Sequence, residues 1–205
     1  MKEISLIKFL GLATIFILSV NSVQAQHKST KDESNFGFRA GVVLSDQHFS
    51  DGTLIHDTES KFGADLALLC TLPIGSGLIA LQPELHWIQK GSTFRAINGV
   101  YFTNTVNYIE LPVLLRFNFG SSLKLFAFGG PSAGYLIGVS SEDDIVSKNE
   151  YEDFEFSLHV GAGIGLGSFE IDLRYMTGLS DVSSDEGSIN DIKNSALGAG
   201  ITLKF

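Results

Sequence analysis

Hydrophobic and polar side chains alternate with a period of two along most of residues 36–205. In the stretch YIELPVLLRFNF, Ile109, Leu111 and Val113 share one face, whereas Glu110 and Arg116 lie on the other. Such alternation is typical of β-strands, in which successive side chains point to opposite sides. The pattern predicts an all-β chain with eight strands, at residues 36–45, 61–72, 77–90, 104–119, 123–139, 153–167, 169–180 and 194–205.

The predicted connections alternate regularly between long and short. The long ones are polar and cover residues 45–60, 91–103, 140–152 and 180–194, and the short ones cover 73–76, 120–122 and 167–168. Up-and-down barrels of bacterial outer membranes have short periplasmic turns and long extracellular loops. With both chain ends on the periplasmic side, eight strands require four long loops and three short turns. The sequence therefore predicts an eight-stranded antiparallel up-and-down transmembrane β-barrel.

In such a barrel the apolar face of each strand contacts lipid and the polar face fills the lumen. Eight strands leave an interior just wide enough for side chains, and an unpaired buried charge costs several kcal/mol. The near balance of four basic and five acidic inward groups therefore predicts a closed, salt-bridged lumen, with a proton or ion path as the alternative. These nine residues are Arg39, Asp65, Glu84, Glu110, Arg116, Glu170, Asp172, Arg174 and Lys204.

Other inward and outward positions follow from the same alternation. In LQPELHWIQKG, Trp87 is predicted to face lipid, and Glu84 and His86 to face the lumen. Proline lacks a backbone donor, so a β-bulge is predicted at Pro83 or Pro112. The inward glycines of the sixth strand are predicted to leave room for long arginine and glutamate side chains; they are Gly161, Gly163 and Gly165.

The first 25 residues have the pattern of a secretory signal peptide. Lys2 and Lys8 flank the start of a short apolar run, and VQA at 23–25 offers small residues around a cleavage site. We therefore expect Sec-dependent export and cleavage between Ala25 and Gln26. An uncleaved membrane anchor is the alternative, although the run is short for a span of about 20 residues.

Cleavage would leave a flexible polar leader at residues 26–35 and one barrel domain at 36–205. Removing residues 1–25 takes two lysines from the 14 basic residues and one glutamate from the 23 acidic ones, which gives a net charge of −10. Such an acidic chain is a poor match for nucleic acid. Its single cysteine, Cys70, excludes an internal disulfide.

Four stretches carry a resemblance to a known family: LQPELHWIQKG (81–91), YIELPVLLRF (108–117), FGGPSAGYLIG (128–138) and DLRYMTGLSDV (172–182). Together they resemble the PorT-like family of small outer-membrane β-barrel proteins. This resemblance implies residence in the outer membrane of a Gram-negative bacterium, in contact with outer-membrane lipid. The aromatic end of the last strand, Phe205, resembles the signal read by the barrel insertion machinery. A named family member assists a protein secretion system, which implies an envelope or secretion-system protein as a partner.

Candidate chemistry is sparse. Ser157, His159 and Glu155 share one face of the sixth strand, a spacing that permits but does not specify the nucleophile, base and acid of a lipid-modifying hydrolase or acyltransferase. They are better explained as lumenal polar side chains beside glycines. Acidic residues at 142–153 and 181–191 could bind calcium but lack EF-hand spacing. A soluble lipocalin-like barrel is an alternative fold, in which the apolar faces of the strands would point inside and the charged faces outside.

These observations predict a structural or accessory envelope protein with no catalytic residues, cofactor or resident metal. Binding of a ligand or partner through the acidic outer loops is the main alternative, and lipid modification is a more distant one.

Overall fold

Eight antiparallel strands form a closed barrel in which each strand pairs with its sequence neighbours and the last pairs with the first. The computed structural model describes residues 35–49, 57–75, 77–95, 101–120, 123–141, 152–180 and 192–205. No helix within these ranges is long and apolar enough to cross a membrane. The predicted eight-stranded antiparallel architecture is confirmed. The strands are β1 (Asn35–Phe49), β2 (Asp57–Ile74), β3 (Ile79–Arg95), β4 (Tyr101–Phe119), β5 (Leu123–Ser141), β6 (Phe154–Leu166), β7 (Phe169–Gly178) and β8 (Ile192–Lys204).

The two ends of the barrel differ. The three short connections lie at one end, together with the start of β1 and the end of β8; we call this the short-turn end. Tight reversal there uses glycines with left-handed backbone: Gly120 has φ +85°, and a Cβ would overlap the carbonyl oxygen of Leu123. The opposite end, where β3 ends and β4 begins, is the long-loop end. The predicted signal peptide, the leader to residue 34 and most of the long connections lie outside the described residues.

Four strands continue three or more residues further toward the long-loop end than the alternation predicted. β1 runs to Phe49, β2 begins at Asp57, β3 runs to Arg95 and β4 begins at Tyr101, and β3 and β4 stay paired up to Arg95↔Tyr101. Most of the added residues are polar, as at Ser92 and Thr93, and they carry no regular hydrophobic alternation. Backbone hydrogen bonds to a neighbouring strand extend a ladder whatever the side chains are.

The side-chain faces are arranged as the alternation predicted. Along β7, exposed and buried residues alternate: Phe169 and Leu173 are 60% and 62% exposed, whereas Glu170, Asp172 and Arg174 are buried. An apolar outer surface around a polar interior is the reverse of a lipocalin-like barrel. It leaves the hydrophobic surface to be covered by lipid.

The predicted β-bulge at Pro83 or Pro112 is wrong. β3 and β4 keep one register through Pro83, and β4 and β5 keep one register through Pro112. A bulge needs an extra residue in one strand. Proline removes one hydrogen-bond donor without adding a residue, so the register survives.

The register instead shifts at two places that contain no proline. One shift lies between Ser60 and Asp65 in the β2–β3 pairing, and the other is opposite Asn107 and Tyr108 in the β4–β5 pairing. At the second shift β5 carries one extra residue. As a result, Leu136 and Val139, three positions apart, pack in the same interior cluster.

Two apolar clusters share the interior with the polar side chains. One, toward the short-turn end, consists of Leu114, Phe126 and Phe128, which explains why a leucine interrupts the polar face of β4. The other lies toward the long-loop end and consists of Val43, Ile88, Val106, Tyr108, Leu136, Met176 and Ala196. Between and around these clusters lie the charged groups.

Candidate functional site

The charged groups inside the barrel are the candidate functional site. All nine residues of the predicted lumenal set lie on the inward faces of the strands. Eight of them are at most 6% exposed, and the side chain of Lys204, next to the chain end, is 12% exposed. The structure joins them in ion pairs and adds partners that the set did not include.

Arg116 organises the short-turn end of the lumen. Its Nη1 and Nη2 donate to the two carboxylate oxygens of Glu170 at 2.9 and 2.7 Å, a bidentate arrangement that fits the guanidinium geometry. Lys204 Nζ lies 2.9 Å from the same carboxylate. Arg116 also donates to Gln82 and lies over the ring of Phe126, 3.7 Å from the centroid. Because Nε donates to Asn118 Oδ1 at 2.7 Å, each of the three guanidinium nitrogens has a hydrogen-bond acceptor.

Arg39 connects three strands in the middle of the lumen. Its Nε and Nη2 each donate to a different oxygen of Asp172 at 2.9 Å, while Nη1 binds Asp65. Asp65 also contacts His86 Nδ1 at 2.8 Å. Because β1, β2, β3 and β7 each contribute one of these residues, the contacts tie together opposite walls of the barrel.

Glu84 completes this part of the lumen. Its Oε2 lies 2.5 Å from His86 Nε2 and 2.6 Å from Arg174 Nη1, and its Oε1 accepts from Gln82 Nε2 at 2.6 Å. Gln82 thus links Glu84 to Arg116. We call this continuous set the lower network; its members are Arg39, Asp65, Gln82, Glu84, His86, Arg116, Glu170, Asp172, Arg174 and Lys204.

A second set, the upper network, lies nearer the long-loop end. Lys90 Nζ is 2.6 Å from Glu110 Oε1 and 3.1 Å from Glu155 Oε2, and Asn194 donates to Glu155 at 3.1 Å. Lys90 also lies over the ring of Tyr108, 5.4 Å from its centroid. The members of the upper network are Lys90, Glu110, Glu155, Ser157, His159 and Asn194.

The predicted set omitted four titratable groups of these networks: His86, Lys90, Glu155 and His159. All four lie on inward faces and are at most 2% exposed. The alternation could have identified Lys90, because it follows the inward Ile88 by two positions on β3. Its place at the end of the predicted strand concealed it, since β3 continues to Arg95.

The prediction that the glycines of β6 make room for arginine and glutamate is only partly right. Gly165 leaves space beside Glu170, but Gly161 and Gly163 lie beneath the rings of Phe128 and Phe126. The phenylalanine rings fill this space and also make cation–π contacts with guanidinium groups. Arg174 Cζ, for example, lies 4.8 Å from the Phe128 ring centroid. The space for Arg39 comes instead from Gly200 on β8, where a Cβ would overlap the guanidinium.

Gly200→Ala is accordingly expected to lower the free energy of unfolding by about 1–3 kcal/mol, the usual cost of overfilling a packed interior. The added methyl group would displace Arg39 from Asp172. Gly138→Ala is the matched control, because a Cβ there would meet only Asn107 Nδ2, at 3.9 Å. Urea unfolding of both variants in lipid vesicles measures the difference in the free energy of unfolding. Equal stability of the two variants would contradict the close packing of Arg39 against Gly200.

The residues suggested for catalysis do not form a catalytic triad. Ser157 Oγ and Glu110 Oε2 both lie 3.2 Å from the same ring nitrogen of His159, Nε2. In a triad the nucleophile and the acid bind opposite nitrogens of the histidine. Glu155, the acid predicted from the sequence, faces Lys90 and Asn194 instead. Ser157 is 2% exposed inside the barrel, where lipid on the outer surface does not reach it.

Metal binding has no candidate within the structure as described. The described residues contain no group of three or more His, Cys, Asp or Glu side chains that could hold a metal ion. The acidic stretches suggested for calcium, at 142–153 and 181–191, fall almost wholly outside the described residues.

Comparison with known proteins places this architecture in context. The family model of the outer membrane protein beta-barrel domain matches residues 24–184. No curated protein matches the chain. Among solved structures, Neisserial surface protein A is 14% identical with TM-score 0.50, covering 83% of this chain and 97% of that one. OprG from Pseudomonas aeruginosa is 11% identical with TM-score 0.51, covering 85% and 97%. The outer membrane enzyme PagL is 13% identical with TM-score 0.49, covering 82% and 98%.

Proposed function

The chain belongs to the family defined by the outer membrane protein beta-barrel domain, and from this premise we propose that it is a non-enzymatic structural or accessory component of the outer membrane. The single observation that carries the proposal is the mutual pairing of its buried charges, which supports a closed lumen. A barrel whose interior is occupied by its own ion pairs acts through its outer surface and its loops.

Export by a Sec signal peptide cleaved after Ala25 is part of this proposal, as is recognition of the last strand, ending at Phe205, by the barrel insertion machinery. The resemblance of four stretches to PorT-like proteins supports an accessory role beside an envelope or secretion-system protein. Binding of a ligand or partner by the acidic outer loops is the alternative. The arrangement around His159 favours neither hydrolysis nor acyl transfer.

The test is purification from outer membranes in mild detergent, with an affinity tag placed within residues 26–35 so that the terminal strand is unaltered. We expect a stoichiometric envelope protein to co-purify and to be identified by mass spectrometry. Untagged cells control for adhesion to the resin. A variant with the acidic residues of 142–153 changed to asparagine and glutamine separates a partner held by the loops from one held by the barrel wall.

Recovery of a correctly folded barrel alone would contradict the accessory role and direct attention to ligand binding by the loops. Folding is checked by a difference in migration between boiled and unboiled samples in SDS. The same preparation in planar bilayers tests the closed lumen, because stepwise ion conductance would overturn it. Release of fatty acid from lipid A or phospholipid, abolished by Ser157→Ala, would overturn the non-enzymatic assignment.

A further inference from the structure

The lower and upper networks meet at a pair of histidines. The rings of His86 and His159 lie edge to face, with centroids 6.2 Å apart and an interplanar angle of 89°. Both side chains are fully buried. The two rings come from β3 and β6, on different walls of the barrel, so the lumen brings together groups that are distant in sequence.

The charges of the two networks do not balance without a histidine. Apart from His86, the lower network contains four basic and four acidic groups and is neutral. The upper network contains one lysine and two glutamates, which gives it one negative charge when His159 is neutral. A buried charge without compensation is costly. One additional proton on either histidine makes the two networks of described residues neutral together.

The geometry around His86 assigns that proton to it. Its Nδ1 lies 2.8 Å from Asp65 Oδ1 and its Nε2 lies 2.5 Å from Glu84 Oε2. A neutral imidazole donates from only one nitrogen, so one lone pair would face a carboxylate at close range. The imidazolium donates from both. Arg174 Nη1 lies 3.2 Å from His86 Nε2 because both nitrogens bind the same oxygen of Glu84.

His159 is arranged for a single proton. Only its Nε2 faces acceptors, namely Glu110 Oε2 and Ser157 Oγ, both at 3.2 Å. Its Nδ1 is buried and has no hydrogen-bond partner among the described residues. One N–H on Nε2 therefore satisfies the contacts of this ring, and Nδ1 is left as a vacant position for a second proton.

We propose that the lumen contains a two-position site for one exchangeable proton, held by His86 and taken up by His159 when His86 cannot hold it. The charged groups facing His86 are Asp65 on β2, Glu84 on β3 and Arg174 on β7, with Arg39 on β1 behind Asp65. His159 faces Glu110 on β4, Arg174 and His86. Movement between the two rings transfers one proton and leaves the total interior charge at zero.

The test is nitrogen-15 NMR of the histidine rings in lipid nanodiscs, since ring nitrogens with and without a proton differ strongly in chemical shift. The chain has five histidines, and His86→Gln and His159→Gln assign the two signals. In the natural protein at neutral pH we expect both nitrogens of His86 to be protonated and only one of His159. In His86→Gln we expect both nitrogens of His159 to be protonated.

A matched variant separates charge balance from local rearrangement. In His86→Gln combined with Glu155→Gln the interior is neutral without a histidine proton, so His159 should return to a single proton. If His86→Gln does not fold, Glu84→Gln replaces it, and His86 is then expected to lose one of its two protons. A singly protonated His159 in folded His86→Gln, or a neutral His86 in the natural protein, would overturn the proposal.

Discussion

Replacing Arg39 with methionine is expected to lower the free energy of unfolding by about 3–5 kcal/mol, the largest effect of any single change considered for this barrel. The guanidinium binds Asp172 through two nitrogens and Asp65 through the third. Methionine is unbranched but shorter and uncharged, so the buried carboxylates of Asp172 and Asp65 would both lose their contacts with the guanidinium. Urea unfolding in lipid vesicles measures the loss, with the fluorescence of Trp87, the single tryptophan, as the reporter.

Two further variants distinguish loss of pairing from a general loss of positive charge. Lys124→Met removes a basic residue that is exposed on β5, and it should change the stability by no more than about 0.5 kcal/mol. Adding Asp172→Asn to Arg39→Met removes one of the stranded charges and should recover part of the loss. A cost for Arg39→Met as small as that of Lys124→Met would mean that water, rather than the ion pairs, neutralises the lumen.

An arginine in place of Leu173 is expected to destabilise the barrel by about 2–4 kcal/mol in a bilayer. Leu173 is 62% exposed on the outer face in the middle of β7, where lipid chains surround the barrel. An arginine at the depth of the hydrocarbon core loses its hydration, and its cost falls toward the membrane surface.

The control for depth is Leu166→Arg at the last residue of β6, beside the short turn. Leu166 is 68% exposed, as accessible as Leu173, but lies at the membrane edge, where the expected cost is about 0–1 kcal/mol. Urea unfolding in vesicles compares the two. Equal costs at both positions would contradict the assignment of the mid-strand surface to the bilayer interior.

The fold could be predicted because nearly every strand carries a separate apolar and polar face. In β7 each residue from Phe169 to Tyr175 indicates its side by its chemistry alone, and the structure places each one accordingly. The extensions of β1, β2, β3 and β4 were not predictable in this way, because outside the lipid a strand needs no apolar face. Lys90 was missed because it is the last residue of the predicted third strand, although the alternation placed it on the inward face.

The pairing inside the lumen could be predicted only as a balance of charge. Which charged groups meet depends on the register of each strand against its neighbours. The alternation of apolar and polar residues carries no information about that register. Arg39 and Asp172 are 133 residues apart, and the register shift opposite Tyr108 leaves no sequence signature comparable to a proline. Alternation alone therefore could not reveal that His86 lies between two carboxylates.

The pairing of β1 with β8 has a consequence for the order of events during folding. These strands are the first and last of the barrel, and they join along a ladder from Gly37↔Lys204 to Phe49↔Ile192. Until the final strand has been synthesised, β1 presents an open edge, and contacts of such long sequence separation form slowly. Between synthesis of the chain and closure of the barrel, the unpaired edge of β1 therefore makes the chain an aggregation-prone intermediate.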